Sequence, residues 1–334
     1  MKRFYKKGIS LFLILLMSFP LCACKSDDSK ALTTVKLNEV AHSIFYAPMY
    51  VAIEKGYFED EGIELSLTTG FGADKPMPAV VSGDADVGFM GTEASIYAYT
   101  EGAKDHVINF AQLTQRAGNF VVARENTDSF SYEDMIGKDV LGGRAGGTPE
   151  MVYEYVLREN GISPSEVKID QSIDFGSTAA AFSGGQGDYT IEFEPSATAL
   201  EQSGDGYVVA SIGVDSGYLP YTAFCAKESY LKENADLIQH FTNALQKGMD
   251  YVVGHSPEEI ASVIAPQFSE TDLKTLTLIV SRYYDQETWN TDLILREEGY
   301  NLMLTILEES GVLSGAAPYE DLVNTDFAEK ASTL

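Results

Sequence analysis

Basic residues, cysteine, histidine and tryptophan are all scarce in this sequence of 334 residues. Lysine and arginine number 23 against 50 aspartates and glutamates, so the formal net charge at pH 7 is −27. A chain this acidic repels a phosphate backbone, which excludes nucleic acid as a partner. The four histidines and three cysteines show no pairing typical of a metal site. The sequence therefore predicts no metal and no cofactor.

The N-terminus carries the pattern of an export signal. Four basic residues within positions 1–7 precede an apolar stretch at 9–21. This stretch is shorter than the roughly 20 residues that a membrane-spanning helix needs, so it is typical of a cleaved signal peptide. It ends in Leu21-Cys22-Ala23-Cys24, which resembles the bacterial lipobox. We expect residues 1–23 to be the signal peptide and Cys24 to be lipidated, the alternative being an ordinary secretory peptide.

The segment after the signal also suggests how the rest of the chain is organised. Residues 24–33 are polar and lack apolar periodicity, which is typical of a flexible tether. With Cys24 lipidated, Cys225 would be a lone thiol, so stability must come from the hydrophobic core. The remaining length exceeds what one core usually serves and predicts two lobes. We expect an extracytoplasmic monomer, held at the bacterial cell membrane by its lipid.

From Thr34 onward, short β-rich runs alternate with helical patterns. The alternation predicts, in chain order, a strand at 35–40, a helix at 48–55, a strand at 63–68, a helix at 77–82 and a strand at 85–90. This β-α-β-α-β order predicts an α/β fold with a mostly parallel sheet and helices on its faces. The C-terminal third is largely helical by its periodicity, and we expect it to pack on the first lobe.

Two patterns in the first half of the chain recur in the second half. Residues 82–89 resemble 183–190, which predicts two α/β lobes built on one plan. The order apolar-apolar-Ala-basic-Glu occurs at 121–125 and again at 224–228, and we interpret these as the two hinge strands. The expected boundaries are 34–122 and 227–334 for lobe 1, 123–226 for lobe 2, and crossings near 119–124 and 222–227.

Several weak motifs resemble one known family when they are taken in order. They are the runs Ile44 to Ala52, Glu54 to Phe58, Glu61 to Ile63, Gly83 to Gly88 and Gly143 to Thr148, and the pair Glu194-Pro195. In this spacing the chain is similar, from about Thr34 to its C-terminus, to the nitrate/sulfonate/taurine and thiamine-pyrimidine solute-binding proteins. The resemblance implies a type II periplasmic-binding-protein fold, in which two α/β lobes joined by two crossing strands close on a solute. It also implies an ABC permease and its ATPase as partners.

In open α/β sheets, ligands bind beyond the carboxyl ends of the strands, and four loops satisfy this rule. In the first loop, Phe45 and Tyr46 could stack on a planar ligand, although Phe45 could equally be core. In the second loop, Gly91 and Thr92 offer N–H groups and a hydroxyl at a helix start. A plain helix cap by Thr92 is the alternative.

The other two loops belong to the second lobe. In the third, Gly146, Gly147 and Thr148 let the backbone approach a ligand. In the fourth, the carboxylates of Glu192 and Glu194 favour a ligand that carries hydrogen-bond donors. The alternative for this pair is one exposed and one capping glutamate. Arg116 could instead serve an anionic group, or it could form an ion pair at the surface or between the lobes.

The expected function is solute capture for an ABC importer. The aromatic first loop and the acidic fourth loop favour a thiamine-related pyrimidine, while the glycine loop and Arg116 allow an alkanesulfonate, taurine or nitrate. Yeast-type pyrimidine synthases share the implied fold, but they use a histidine for which Tyr46 is the nearest residue here, together with a cysteine cluster for iron that is not present. We therefore expect no enzyme. A sensory lipoprotein with this fold is a further alternative.

Overall fold

The structure is a computed structural model that describes residues 31–70, 75–127, 129–313 and 315–334. The predicted signal peptide, Cys24 and most of the predicted tether lie outside these residues. The first strand begins at Thr33, which is the last residue of that tether. Residues Leu32–Leu334 form one unit. No helix within the described ranges is both long enough and apolar enough to cross a bilayer.

The described residues contain two five-stranded sheets. Their strands are β1 (Thr33–Glu39), β2 (Ile63–Thr69), β3 (Val87–Met90), β4 (Val107–Thr114), β5 (Asn119–Ala123), β6 (Asp139–Leu141), β7 (Lys168–Asp170), β8 (Tyr189–Phe193), β9 (Tyr207–Ser211) and β10 (Thr222–Lys227). The strand order is β2-β1-β3-β10-β4 in the first sheet and β7-β6-β8-β5-β9 in the second. β3 and β5 are buried along their whole length, as expected for strands covered on both faces.

Each sheet contains one strand that runs against the others. β10 is antiparallel to β3 and β4, and β5 is antiparallel to β8 and β9. The pairings of β1 with β2 and β3, and of β6 with β7 and β8, are parallel. Both sheets therefore follow one plan, in which the fourth strand is the first one after the chain has crossed from the other sheet. The predicted α/β fold class with two lobes is confirmed.

The helices lie between and after these strands. They are α1 (Ala47–Glu54), α2 (Tyr57–Asp60), α3 (Pro76–Ser82), α4 (Glu93–Thr100), α5 (Thr148–Glu159), α6 (Phe175–Ser183), α7 (Ser196–Ser203), α8 (Ile212–Asp215), α9 (Glu228–Glu233), α10 (Ala235–Gly254), α11 (Pro257–Ile264), α12 (Leu273–Asp285), α13 (Glu297–Glu309), α14 (Tyr319–Leu322) and α15 (Asp326–Ala331). Local signals set several boundaries. The Asp272 side chain accepts from the N–H groups of Lys274 and Thr275 at the start of α12. Gly56, with φ of 71°, follows α1 in the left-handed conformation.

The recurrence of 82–89 at 183–190 corresponds to equivalent places in the two sheets. Each stretch runs from the end of a helix, α3 or α6, into the third strand of its sheet, β3 or β8. The second recurrence is also equivalent, because it falls on β5 and β10. The two sequence recurrences thus mark equivalent structural elements in the two lobes.

The segments predicted as crossings, near 119–124 and 222–227, lie in strands of the two sheets, β5 and β10. β5 pairs with β8 and β9 in the second sheet, and β10 pairs with β3 and β4 in the first, so both segments belong to sheets. The chain crosses instead through 115–118 and 216–221. The repeated motif lies in the antiparallel strand of each sheet. Because this strand directly follows a crossing, the motif resembled a hinge. The lobe boundaries shift accordingly.

The two crossings are hydrogen-bonded to each other. The backbone N–H of Leu219 donates to the Gln115 carbonyl at 2.9 Å, and that of Tyr221 donates to the Thr114 carbonyl at 3.1 Å. The Thr114 and Thr222 hydroxyls lie 2.6 Å apart where the two crossings leave the first sheet. The connection between the sheets is therefore a short two-stranded ladder.

The C-terminal helices contact the second lobe as well as the first, on which the sequence predicted that they pack. α10 packs along α1 of the first lobe. In α12, Arg282 forms ion pairs with Glu194 and Glu201, and the Tyr283 hydroxyl donates to the Gly118 carbonyl at 3.2 Å. α12 therefore links the first lobe to β8 and α7 of the second.

The contact between α1 and α10 depends on a glycine in the middle of a helix. A Cβ atom at Gly248 would collide with the Pro48 carbonyl oxygen and lie 3.1 Å from the Ala52 Cβ. Alanine normally stabilises a helix interior relative to glycine by about 1 kcal/mol. We predict that Gly248→Ala nevertheless lowers the free energy of unfolding by about 2 kcal/mol, because the helices must separate. Urea denaturation measures this.

The matched control is Gly176→Ala in α6, where an added Cβ would meet nothing within 4 Å. We expect this change to be neutral or to stabilise the protein by up to about 1 kcal/mol. Equal effects of the two substitutions would contradict the close approach of α1 and α10.

Candidate ligand site

A buried carboxylate stands at the start of α4. Glu93 is 8% exposed, and its Oε2 atom is buried with no hydrogen-bond partner among the described residues. Burial raises the pKa of this carboxyl, because the charged form loses its hydration. No lysine or arginine of the described residues forms an ion pair with it. A buried polar atom of this kind calls for a partner from outside the chain.

Two further buried polar atoms without a partner in the described part of the chain, the Thr148 hydroxyl oxygen and the Tyr221 hydroxyl, lie near Glu93. A third, the Asn119 Oδ1 atom, belongs to a side chain that contacts Pro149, next to Thr148. Thr148 opens α5 in the second lobe, Tyr221 ends the returning crossing, and Asn119 opens β5. The four atoms therefore come from both lobes and from the connection between them.

Three interactions bring these residues together. The Thr92 hydroxyl donates to the Pro220 carbonyl at 2.5 Å, which places the start of α4 against the returning crossing. The Asn119 side-chain amide donates to the Pro149 carbonyl at 3.4 Å, which places β5 against the start of α5. The Thr148 hydroxyl faces the Glu93 carboxylate and opposes the effect of burial on its pKa, although the two are not in hydrogen-bonding geometry.

Tyrosine side chains surround the same carboxylate. Burial first, and the Glu93 charge in addition, raise the pKa of Tyr97 to about 12 and that of Tyr221 well above its usual range. The pKa of Tyr46 is raised by burial, by Glu39 and by Glu93. All three phenols are therefore neutral and able to donate. We call the six residues Glu93, Thr148, Asn119, Tyr46, Tyr97 and Tyr221 the Glu93 cluster.

Of the predicted first loop, Tyr46 joins this cluster and Phe45 does not. The Tyr46 ring packs edge to face on Phe89, with ring centres 4.5 Å apart. Phe45 is 2% exposed, and its ring packs against Tyr221, Tyr283 and Phe193. Phe45 is thus a core residue at the junction of the lobes, which is the alternative that the sequence left open.

The second and third loops meet in the cluster. Gly91 is covered by the Glu93 carboxylate, with which an added Cβ would collide. The helix cap that the sequence left as the alternative for Thr92 does not form, because the Thr92 hydroxyl donates to the Pro220 carbonyl instead. Gly146 and Gly147 precede α5, and Thr148 is its first residue.

The two glutamates of the fourth loop, Glu192 and Glu194, are bonded within the chain. Glu194 accepts from the N–H and hydroxyl of Thr198 and forms an ion pair with Arg282. Glu192 is 1% exposed rather than at the surface, and it accepts from the Thr190 hydroxyl at 2.6 Å. Both carboxylates are therefore occupied by partners from the chain itself.

Arg116 lies in the first crossing and contacts residues beside the connection between the lobes. Its guanidinium donates to the carbonyls of Gly213 and Val214, pairs with Glu287 at 3.1 Å, and lies 4.0 Å from the centre of the Tyr218 ring. These contacts are with α8 and the segment after α12, not with the Glu93 cluster. The ion pair that the sequence offered as the alternative is what the structure shows.

The sequence did not indicate Glu93, Asn119, Tyr97 and Tyr221 as candidate contacts. Glu93 lies in the second loop, where the sequence pointed to Gly91 and Thr92. Asn119 and Tyr221 lie within a few residues of the true crossings, so a correct placement of the crossings would have pointed to them. Within the described ranges, no group of three His, Cys, Asp or Glu is placed to hold a metal ion.

Comparisons with known proteins agree with this architecture. The model of the NMT1/THI5-like family matches residues 44–260. The chain is 43% identical over 334 residues to the "Putative binding protein YtlA" of Bacillus subtilis (strain 168), across all of this chain and 99% of that one. It is 23% identical over 292 residues to the formylaminopyrimidine-binding protein of Halalkalibacterium halodurans, across 83% of this chain and 86% of the relative.

A solved structure gives the same fold. The periplasmic aliphatic sulphonate binding protein SsuA of Escherichia coli superposes with a TM-score of 0.71 at 16% identity, covering 86% of this chain and 96% of that one. The two linked α/β lobes define a periplasmic-binding-protein fold. The chain belongs to the NMT1/THI5-like family and is a solute-binding protein of that family.

Glu192 gives a test of the buried acidic groups. Burial raises its pKa to about 7 against the opposing effect of the Thr190 and Thr178 hydroxyls. A raised carboxyl pKa means that the folded state holds the proton longer, so stability falls as pH rises from 4.5 past 7. We predict that Glu192→Gln reduces this fall by up to about 3 kcal/mol. Urea denaturation at pH 4.5 and pH 8 measures it.

The exposed Glu125, directly after β5, supplies the control as Glu125→Gln. This variant should keep the pH dependence of the unaltered protein. If Glu192→Gln kept it too, the carboxyl of Glu192 would be charged in the folded state across the whole range.

Proposed function

We propose that this protein is the lipid-anchored solute-binding component of an ABC importer and that it captures a thiamine-related pyrimidine between its lobes. The Glu93 cluster is the observation that carries the proposal. It combines a buried carboxylate oxygen without a partner, three neutral phenols and a free hydroxyl, and no cation pairs with its carboxylate among the described residues. Such a site favours a ligand that brings hydrogen-bond donors rather than negative charge.

An aminopyrimidine has the required chemistry. Its amino group donates to a carboxylate, its ring nitrogens accept from phenols or from a threonine hydroxyl, and its planar ring packs on aromatic side chains. Tyr46, Tyr97 and Tyr221 supply both the rings and the hydroxyl groups. The name of the Halalkalibacterium relative, a formylaminopyrimidine-binding protein, supports the same class of solute.

An alkanesulfonate, taurine or nitrate fits the same cluster less well. Placing an anion beside the buried Glu93 carboxylate would bury two like charges without compensation. Arg116, the cation that could have served an anion, is held by Glu287 and two backbone carbonyls. The fold shared with the sulphonate-binding protein does not decide the ligand, because that likeness lies in the architecture.

Transport, rather than catalysis, is the proposed role of this site. The Bacillus subtilis relative is named a binding protein. The imidazole of His42 contacts Glu39, Tyr50 and the Gln267 carbonyl and is engaged in a structural network. We propose that an ABC permease with its ATPase receives the solute, and that the protein works outside the cytoplasm as a monomer tethered by lipid on Cys24. A sensory lipoprotein is the alternative.

Calorimetry against 4-aminopyrimidines, alkanesulfonates, taurine and nitrate tests the ligand class. We predict that only the aminopyrimidines bind. Glu93→Gln should weaken their binding by a factor of ten to more than a hundred, because one charge-assisted hydrogen bond contributes about 1.5–3 kcal/mol.

The control is Glu101→Gln, at an exposed residue directly after α4. This variant should bind the aminopyrimidines as the unaltered protein does. Binding of sulfonates or nitrate alone would show that the proposed ligand class is wrong. Unchanged affinity in Glu93→Gln would remove Glu93 from the site.

The anchor is tested by fractionating bacteria that express the full chain. We predict that the protein sediments with membranes and incorporates labelled palmitate, and that Cys24→Ser abolishes the labelling. Cys22→Ser is the matched control and should keep the label, because Cys22 precedes the expected cleavage. Palmitate labelling of the Cys24→Ser variant would contradict the lipobox interpretation.

A further inference from the structure

The glycine loop before α5 is held by a carboxylate of the same chain. The backbone N–H of Gly146 donates to Glu150 Oε2 at 3.2 Å, and the side-chain amide of Gln171 donates to Glu150 Oε1 at 2.5 Å. Glu150 is 4% exposed and lies in the first turn of α5, a helix of 12 residues. Its charge therefore lies at the end of the helix where the macrodipole is positive.

No basic residue in the described part of the chain balances this carboxylate. The charged group that acts on it most is Glu154, one helical turn later. Burial, together with Glu154, raises the pKa of Glu150 to about 7. Arg158, one further turn along, pairs with Glu154 at 3.4 Å and with Glu309 at 2.8 Å. Within the described residues, the hydrogen-bond donors to this nearly buried acid are one backbone N–H and one amide.

The first lobe repeats this arrangement. Glu93, at the start of α4, places its carboxylate over Gly91, so that an added Cβ at Gly91 would collide with it. Glycine loops that open into helix N-termini are general binding places for anions, since their N–H groups and the helix dipole attract negative charge. In this chain, both such places are taken by a glutamate of the helix that follows.

We propose that Glu150 is a specificity-determining residue, whose carboxylate occupies the N–H group and the helix end that an oxyanion solute would need. The protein then admits neutral or cationic solutes and excludes sulfonates, sulfate and nitrate. The inference rests on the proposed function in one respect, namely that the cleft beside Thr148 is where the solute binds. The unpartnered Thr148 hydroxyl next to this loop would be one of the groups that meet the admitted ligand.

The test is a gain of binding. Glu150→Ala frees the Gly146 N–H and removes the charge, so we expect ethanesulfonate and sulfate to bind at least ten times more tightly than to the unaltered full-length protein. Isothermal calorimetry at constant ionic strength measures both anions. Glu150→Gln removes the charge but keeps an acceptor for Gly146, and it should give a smaller gain, also in the event that Glu150→Ala does not fold.

Glu154→Gln is the matched control, since it removes one negative charge from the same helix without freeing the loop. The proposal requires that it gain little. An equal gain in Glu154→Gln, or no gain in either folded Glu150 variant, overturns it.

The outcome can be separated from that of the proposed function. If the unaltered protein binds no pyrimidine while Glu150→Ala gains oxyanions, the ligand class is wrong and the role of Glu150 stands. If pyrimidine binds and no Glu150 variant gains oxyanions, the role of Glu150 alone fails.

Discussion

The ladder between the two crossings is the constraint on which the rest of this structure depends. Backbone hydrogen bonds from Leu219 to Gln115 and from Tyr221 to Thr114 join the two crossings and fix the place where the lobes are connected. Tyr221 lies at this place and Asn119 lies next to it. The Thr92 hydroxyl, which donates to Pro220, positions the start of α4 against it. The buried polar atoms of two separate sheets therefore meet at one point because a few hydrogen bonds determine where the chain crosses.

Charge determines what this meeting point can hold. Helix starts and glycine loops ordinarily attract anions, and the fold places one of each in either lobe. Glu93 and Glu150 put negative charge in both places, and neither has a basic partner among the described residues. Arg116 pairs with Glu287, Arg158 pairs with Glu154 and Glu309, and the side chain of Arg144 in the glycine loop is exposed. In the proposed function, these two charges favour solutes that donate hydrogen bonds over oxyanions.

Local features were predictable from the sequence and long-range partners were not. β2 and α3 lie within one residue of their predicted positions, because alternation and the proline and glycine signals act over a few residues. The crossings were misplaced, since the repeated motif of β5 and β10 reports equivalence between sheets and not the path between them. The roles of Glu194 and Arg116 depend on Arg282 and Glu287 of a distant part of the chain, which no local pattern reveals.

A crystal structure with a bound 4-aminopyrimidine tests the central claim most directly. We predict that the ring lies between the lobes, with its amino nitrogen within 3.2 Å of the Glu93 carboxylate, a usual hydrogen-bond length. Tyr46 or Tyr221 should pack on the ring, and the Thr148 hydroxyl should have gained a partner. A pyrimidine bound outside the cleft, or bound within it with the amino group directed away from Glu93, would contradict the account.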